Sequence, residues 1–233
     1  MPHRQAEDHK YEEQGDNHHM KNPSEPCIDV QEVRLRCLID LGLNFSAMLR
    51  LYKKGSKEKL HIKVLSEIPS LLQSENEEQF QMAHSSLCEW GVEHLPANEG
   101  SGYASYGQIA KTLDVVLKVV IDYGHMPDCS KAKQMSPWLN SAVDNKMMTM
   151  LKREYPDAIE PWPRNIRRVN KEKYVAIQSL VRRFNIEKHN NRITPVQFDD
   201  IYWWCLNKCR QYKDGFCISP GANCQFTAIG REQ

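Results

Sequence analysis

Residues 105–124, SYGQIAKTLDVVLKVVIDYG, are the most apolar helix-like stretch of an otherwise hydrophilic chain. A helix of that character has to be covered nearly all round, so the rest of the fold must be built against it. Ser105 and Gln108 have the spacing of a capping box, and Gly124 supplies a stop. Ile109, Leu113, Val116, Leu117, Val120 and Ile121 fall on one broad face at helical spacing, with Val115 and Val119 on a flank. Lys111, Asp114, Lys118 and Asp122 stack into one narrow stripe of alternating charge. That stripe is expected to be a solvent-facing seam; the sharper alternative is that Lys111 and Lys118 line a groove for a phosphate or carboxylate.

Similar patterns recur along the chain. Asp29 and Glu32 open a helix that keeps apolar spacing through Val33, Leu38, Leu41, Phe45, Met48 and Tyr52, with Gly55 at its end. Another runs from Ser56 to Gln73 with Pro69 as a kink or break, and Ser74 with Glu77 caps a third ahead of Phe80, Leu87 and Trp90. After Gly124 the segment HMPDCSKAKQM reads as loop, and Ser136 with Pro137 starts a helix through Met147 and Leu151. Pro156, Pro161 and Pro163 make residues 156–165 extended and a candidate sub-boundary. Two more helices follow, the second opening at Thr194, Pro195 and Gln197, with Asp199 and Asp200 complementing its dipole. Strand alternation is nowhere sustained. The expected fold is all-α: an irregular bundle of about seven helices over 28–212, behind a disordered polar tail at 1–27 and before a Cys-containing loop at 213–233.

With 233 residues and Lys+Arg 31 against Asp+Glu 30, the chain is not a globally basic nucleic-acid coat. No run approaches the roughly 18 apolar residues of a membrane span, so a soluble, cytoplasmic protein without a membrane partner is expected. Charge is segregated locally. Between 152 and 192 eleven bases face five acids, a difference of plus six, with Trp162, Tyr174 and Phe184 interleaved. Basic side chains beside aromatic faces are what backbone contact plus base stacking require, so Arg164, Arg167, Arg168, Lys171 and Lys173, joined by Lys111 and Lys118, are candidate contacts to RNA or DNA or to an acidic partner. The alternative is a solvated helix surface with its aromatics turned inward.

Arg182, Arg183 and His189 have R-x4-6-H spacing. An Arg and a His at one site can stabilise a scissile phosphate and move protons without a metal. Here RRFNIEKH resembles the HEPN family of helical ribonucleases. The resemblance implies metal-independent RNA cleavage by Arg182 or Arg183 with His189, assembled across a homodimer. Pro127-Asp128 followed by Asp144-Asn145-Lys146 is similar in letters to the PD-(D/E)XK nucleases, but those place the second element on a strand, whereas residues 139–151 read as helix. Whether the chain is an enzyme is left open, a purely structural interaction bundle being the third reading.

Cys205, Cys209, Cys217 and Cys224 crowd the C-terminus. Four thiolates would make a closed structural zinc site, and the alternative is reduced thiols packed under Trp203, Trp204 and Phe216. No other cofactor is expected, and the scattered Cys27, Cys37, Cys88 and Cys129 are expected to be reduced.

Overall fold

A computed structural model describes residues 29–98, 102–208, 212–213 and 216–217. The expected tail at 1–27 and most of the C-terminal loop lie outside the described residues. Among those described, eight α-helices account for nearly all regular structure: α1 Val30–Phe45, α2 Ser56–Leu71, α3 Glu77–His94, α4 Tyr106–Leu117, α5 Cys129–Met135, α6 Asn145–Glu154, α7 Lys171–His189 and α8 Pro195–Lys208. Tyr212–Lys213 and Phe216–Cys217 add one short antiparallel pair. No helix among the described residues is long and apolar enough to cross a membrane.

The central helix forms as its sequence predicts. Gln108 N–H donates to Ser105 Oγ at 3.3 Å while Ser105 N–H donates to Gln108 Oε1 at 3.0 Å, closing the capping box. α4 then continues as a π-helical turn, Lys118–Tyr123, before Gly124. Ile109, Leu113, Val116, Leu117, Val120 and Ile121 are all fully buried, and α1, α3 and α7 each pack on this axis. The core is continuous across the proline-rich 156–165 stretch, through Ile159, Trp162 and Val169.

Several local expectations need correcting. α1 ends at Phe45 and is followed by a 3-10 turn, Ala47–Leu51, rather than running to Tyr52. Its buried face is Ile39, Gly42 and Leu43, whereas Val33, Leu41 and Phe45 are exposed. Backbone approach selects that face, since a Cβ on Gly42 would sit 2.7 Å from Val116 Cα, so only the glycine side of α1 lets it lie this close to α4. The third helix is capped by Asn76, which accepts from Gln79 N–H at 3.0 Å, while Ser74 Oγ donates to Leu71 O at 2.7 Å. Pro69 falls in the last turn of α2 rather than breaking it.

The stretch expected to be loop contains α5, whose start is fixed by Asp128 accepting from Ser130 and Lys131 N–H at 2.9 Å each. Conversely, Ser136 and Pro137 open only a 3-10 turn, Ser136–Trp138. Residues 139–144 are irregular because Gln178 of α7 holds the Ser141 backbone in a reciprocal pair, accepting from its N–H at 3.0 Å and donating to its carbonyl at 2.8 Å. Asp144 then caps α6, accepting from Lys146 and Met147 N–H at 2.9 and 3.0 Å. Asp128 and Asp144, the two acids of the PD…DxK pattern, are therefore both engaged as helix caps.

Candidate functional site

The charged stripe of the central helix is inside the protein. Asp114, buried on α4, accepts from Tyr174 OH of α7 at 2.9 Å on each oxygen, and His84 Nε2 of α3 lies 2.9 Å from its Oδ1. Cys88, one turn further along α3, sets its sulfur 3.8 Å from His84 Nδ1. Burial opposes the imidazolium, but the Cys88 sulfur and the Asp114 carboxylate outweigh it and push His84 up to about 10. Burial also pushes the Asp114 carboxyl up, against the pull of His84, and raises the Tyr174 phenol well above its ordinary value, with Asp114 adding to the effect. A His–carboxylate pair beside a thiol has the donor order of a cysteine nucleophile site, yet Cys88 and His84 are both buried. What this arrangement does is cross-link α3, α4 and α7 through a satisfied polar network. The sequence carried a signal for it: His84 lies four residues from both Phe80 and Cys88 on the apolar side of α3.

The two lysines of the stripe diverge. Lys118, on the π-helical turn, donates to Asp199 Oδ2 at 2.8 Å and also pairs with Asp200, both on α8. Burial disfavours its charge, but the two carboxylates outweigh that and raise its pKa, while burial pushes Asp199 up to about 6 against the pull of Lys118. Asp199 and Asp200 thus neutralise a lysine from another helix, which corrects the expectation that they serve the α8 dipole. Tyr123 OH donates to Asp200 at 2.8 Å and closes this cluster. Lys111 lines a cavity of about 10 Å³ with Asp114, Ile166 and Tyr174, room for at most one water. Burial lowers its pKa in spite of Asp144, Asp199 and Asp114 nearby. The seam expected to face solvent is in fact roofed by α7, α8 and the α6–α7 connector. Asp122 is rotated away by the π-helical turn and accepts from Ser136 Oγ at 2.9 Å.

The Arg/His set is held by three separate groups of neighbours. Arg182 donates to Asn140 Oδ1 and to Glu77 Oε1, at 3.2 Å each. Arg183 donates to Glu187 Oε1 at 2.7 Å and lies over the Tyr155 ring, 4.7 Å from its centroid. His189 Nε2 sits 2.9 Å from Tyr202 OH on α8, and burial lowers its pKa. Within one chain each of these side chains has a different structural partner.

The connector between α6 and α7 is where bases remain on the surface. Its backbone is fastened at four points: Ile166 N–H donates to Asn145 Oδ1 at 2.9 Å, Ser105 Oγ donates to Ile166 O at 3.1 Å, Gly107 N–H donates to Val169 O at 3.0 Å, and Trp162 Nε1 donates to Pro156 O at 2.9 Å. From that fixed frame Arg164, Arg167, Arg168 and Lys171 are exposed and Lys173 is half-buried. Beneath them, α3, the start of α4 and the connector enclose an open cleft of about 590 Å³. Its far wall is acidic, with Glu89 and Glu93, and Lys171 crosses it to Glu89 at 2.6 Å. Trp162, Tyr174 and Phe184, the interleaved aromatics, are all buried.

Among the described residues no group of three or more His, Cys, Asp or Glu side chains is placed to hold a metal ion. Cys88 and Cys205 are buried and Cys37 and Cys129 are exposed, and none of the four is in a disulfide. The side chains of Cys209, Cys217 and Cys224 lie outside the described residues, and so does the four-thiolate arrangement. No protein-family model, no curated protein and no solved structure matches this chain.

Proposed function

We propose that the protein is a non-enzymatic helical module that binds the phosphate backbone of a nucleic acid through the α6–α7 connector. The observation that carries this reading is the rigid display of bases there: residues 164–173 hold five bases and one acid, a difference of plus four, on a backbone tied to α4 and α6. Pinning the backbone removes part of the ordering cost that a mobile basic loop pays on binding. Because Trp162, Tyr174 and Phe184 are turned inward, no aromatic of this segment is offered for base stacking. Contacts are then to phosphate, and recognition is by charge and shape rather than base sequence. The acidic wall formed by Glu89 and Glu93 keeps the polyanion on the outer rim of the cleft. The ribonuclease reading has no such observation in its favour, since Arg182 and His189 turn to different neighbours.

Fluorescence anisotropy with a labelled duplex, titrated between 50 and 200 mM salt, tests the proposal. Neutralising about four phosphates gives a slope of roughly −3 to −4 in log K against log salt. Arg164→Glu, Arg168→Glu and Lys173→Glu together abolish binding while leaving the far-UV spectrum unchanged. Absence of binding at low salt, or binding indifferent to salt, refutes the reading. Cleavage of RNA by the wild-type chain that is lost in His189→Ala would replace it with the nuclease.

A further inference from the structure

α1 is apolar on two opposite sides. Ile39, Gly42 and Leu43 are buried, Gly42 against Val116 of α4, but Val30, Val33, Leu41 and Phe45 are 71%, 47%, 44% and 61% exposed, and Cys37 between them is exposed as well. These five recur at spacings of three, four, four and four, which sets them on one ridge along the outward side of the helix. A helix whose outer face is solvated carries polar residues there; a second apolar ridge calls for a second cover. The segment preceding α1 offers little, since residues 1–27 contain almost no aliphatic side chains.

We infer that this ridge is the contact surface for a second copy of the same chain, with the two α1 helices antiparallel about a two-fold axis through Cys37. The pattern is self-complementary, as a two-fold interface must be. Reversing the helix about Cys37 brings Val33 of one copy opposite Leu41 of the other, each four residues from the axis. It also brings the Val30 end of one copy to the Phe45 end of the other. Arg36 and Asp40 lie on the same flank of the ridge, so the reversal juxtaposes Arg36 of each copy with Asp40 of its mate. Neither side chain is locked away: Arg36 pairs at the surface with Glu32 at 2.7 Å, and Asp40 sits 3.2 Å from His61 Nε2 on α2. Ridges running every fourth residue pack into one another at a crossing of about −50°, with axes about 8 to 10 Å apart, which brings the two Cys37 thiols face to face. The inference is independent of the nucleic-acid reading and of the HEPN resemblance, because no residue of 152–192 takes part.

The test uses the full chain. Light scattering coupled to size exclusion is expected to give a concentration-dependent dimer, and a short bismaleimide is expected to trap it covalently. Cys37→Ser removes the trapped dimer and Cys129→Ser does not. Leu41→Glu gives a monomer with an unchanged circular dichroism spectrum. Arg36→Glu and Asp40→Arg each weaken the dimer at least tenfold, and the double variant restores it, a rescue that non-specific apolar sticking does not produce. A monomer at 100 µM, or a dimer that survives Leu41→Glu, overturns the inference. So does a monomer whose Leu41→Glu variant melts at lower temperature, because that outcome assigns the cover to another segment of the same chain.

Discussion

Tyr174→Phe isolates the polar junction at the centre of the bundle. The substitution deletes one oxygen and keeps the ring, so the stack on His84, 5.9 Å between centroids, and the contact with Tyr106 at 5.5 Å are retained. What is lost is a hydroxyl donating to a buried carboxylate at 2.9 Å on both oxygens. A hydrogen bond to an ionised group contributes roughly 1.5 to 3 kcal/mol, and Asp114 is buried away from bulk water. Tyr52→Phe supplies the internal comparison. Its hydroxyl meets the neutral Thr112 Oγ1 at 2.7 Å and Gln108 O at 3.0 Å, so about 0.5 to 1.5 kcal/mol is expected. Urea unfolding measures both; the midpoint should fall more for Tyr174→Phe, with m unchanged. In a thermal melt, about 2 kcal/mol corresponds to a drop of roughly 4 to 8 °C in a domain of this size. A Tyr174→Phe cost below that of Tyr52→Phe would show that the Asp114–Tyr174 bond does not hold α4 to α7.

Three further perturbations have defined expected outcomes. Gly42→Ala places a methyl 2.7 Å from Val116 Cα, so despite alanine's better helix propensity it should destabilise by about 1 to 3 kcal/mol, read by denaturant midpoint. Asp199 has a folded pKa of about 6 against an ordinary 3.8. A raised pKa gives stability that is present below the ordinary value and is lost as pH rises through the folded one, here about 3 kcal/mol across that interval. Unfolding titrations of wild type and Asp199→Asn from pH 3.5 to 7 should therefore diverge over that window, and parallel curves would refute the assignment. His84→Ala leaves Asp114 buried without its cation and should cost about 3 to 5 kcal/mol, whereas His94→Ala, an exposed residue of the same helix, should cost under about 0.5.

Much of the helical framework is legible from neighbours within one or two turns. Asp29 caps α1, Ser105 with Gln108 closes the box on α4, and Thr194 with Gln197 closes another on α8, at 3.0 and 3.3 Å. These are local hydrogen bonds between residues two or three apart, so the sequence carries both partners. The misreadings come from competition at longer range. Ser136 and Pro137 have the letters of a helix start, but Gln178, far along the chain, binds the backbone that would have continued it. Asp128 and Asp144 match a nuclease pattern as a string of letters, and in space each satisfies the first turn of its own helix.

The sequence by itself determined that this chain is a helical bundle organised about residues 105–124, because apolar periodicity and caps are properties of a segment. Tertiary structure alone decided which face of α1 is inside and that the charged stripe of α4 is covered as well. Spacing shows that Lys111, Asp114 and Lys118 share a face and that Val33, Cys37, Leu41 and Phe45 share another, but not what lies opposite. In the folded chain His84, Tyr174 and Asp199 arrive from three other helices and draw the charged stripe into the core, while the glycine side of α1 takes the close contact with α4 and turns an apolar ridge outward. Burial is decided by the partner surface, and that partner is remote in sequence.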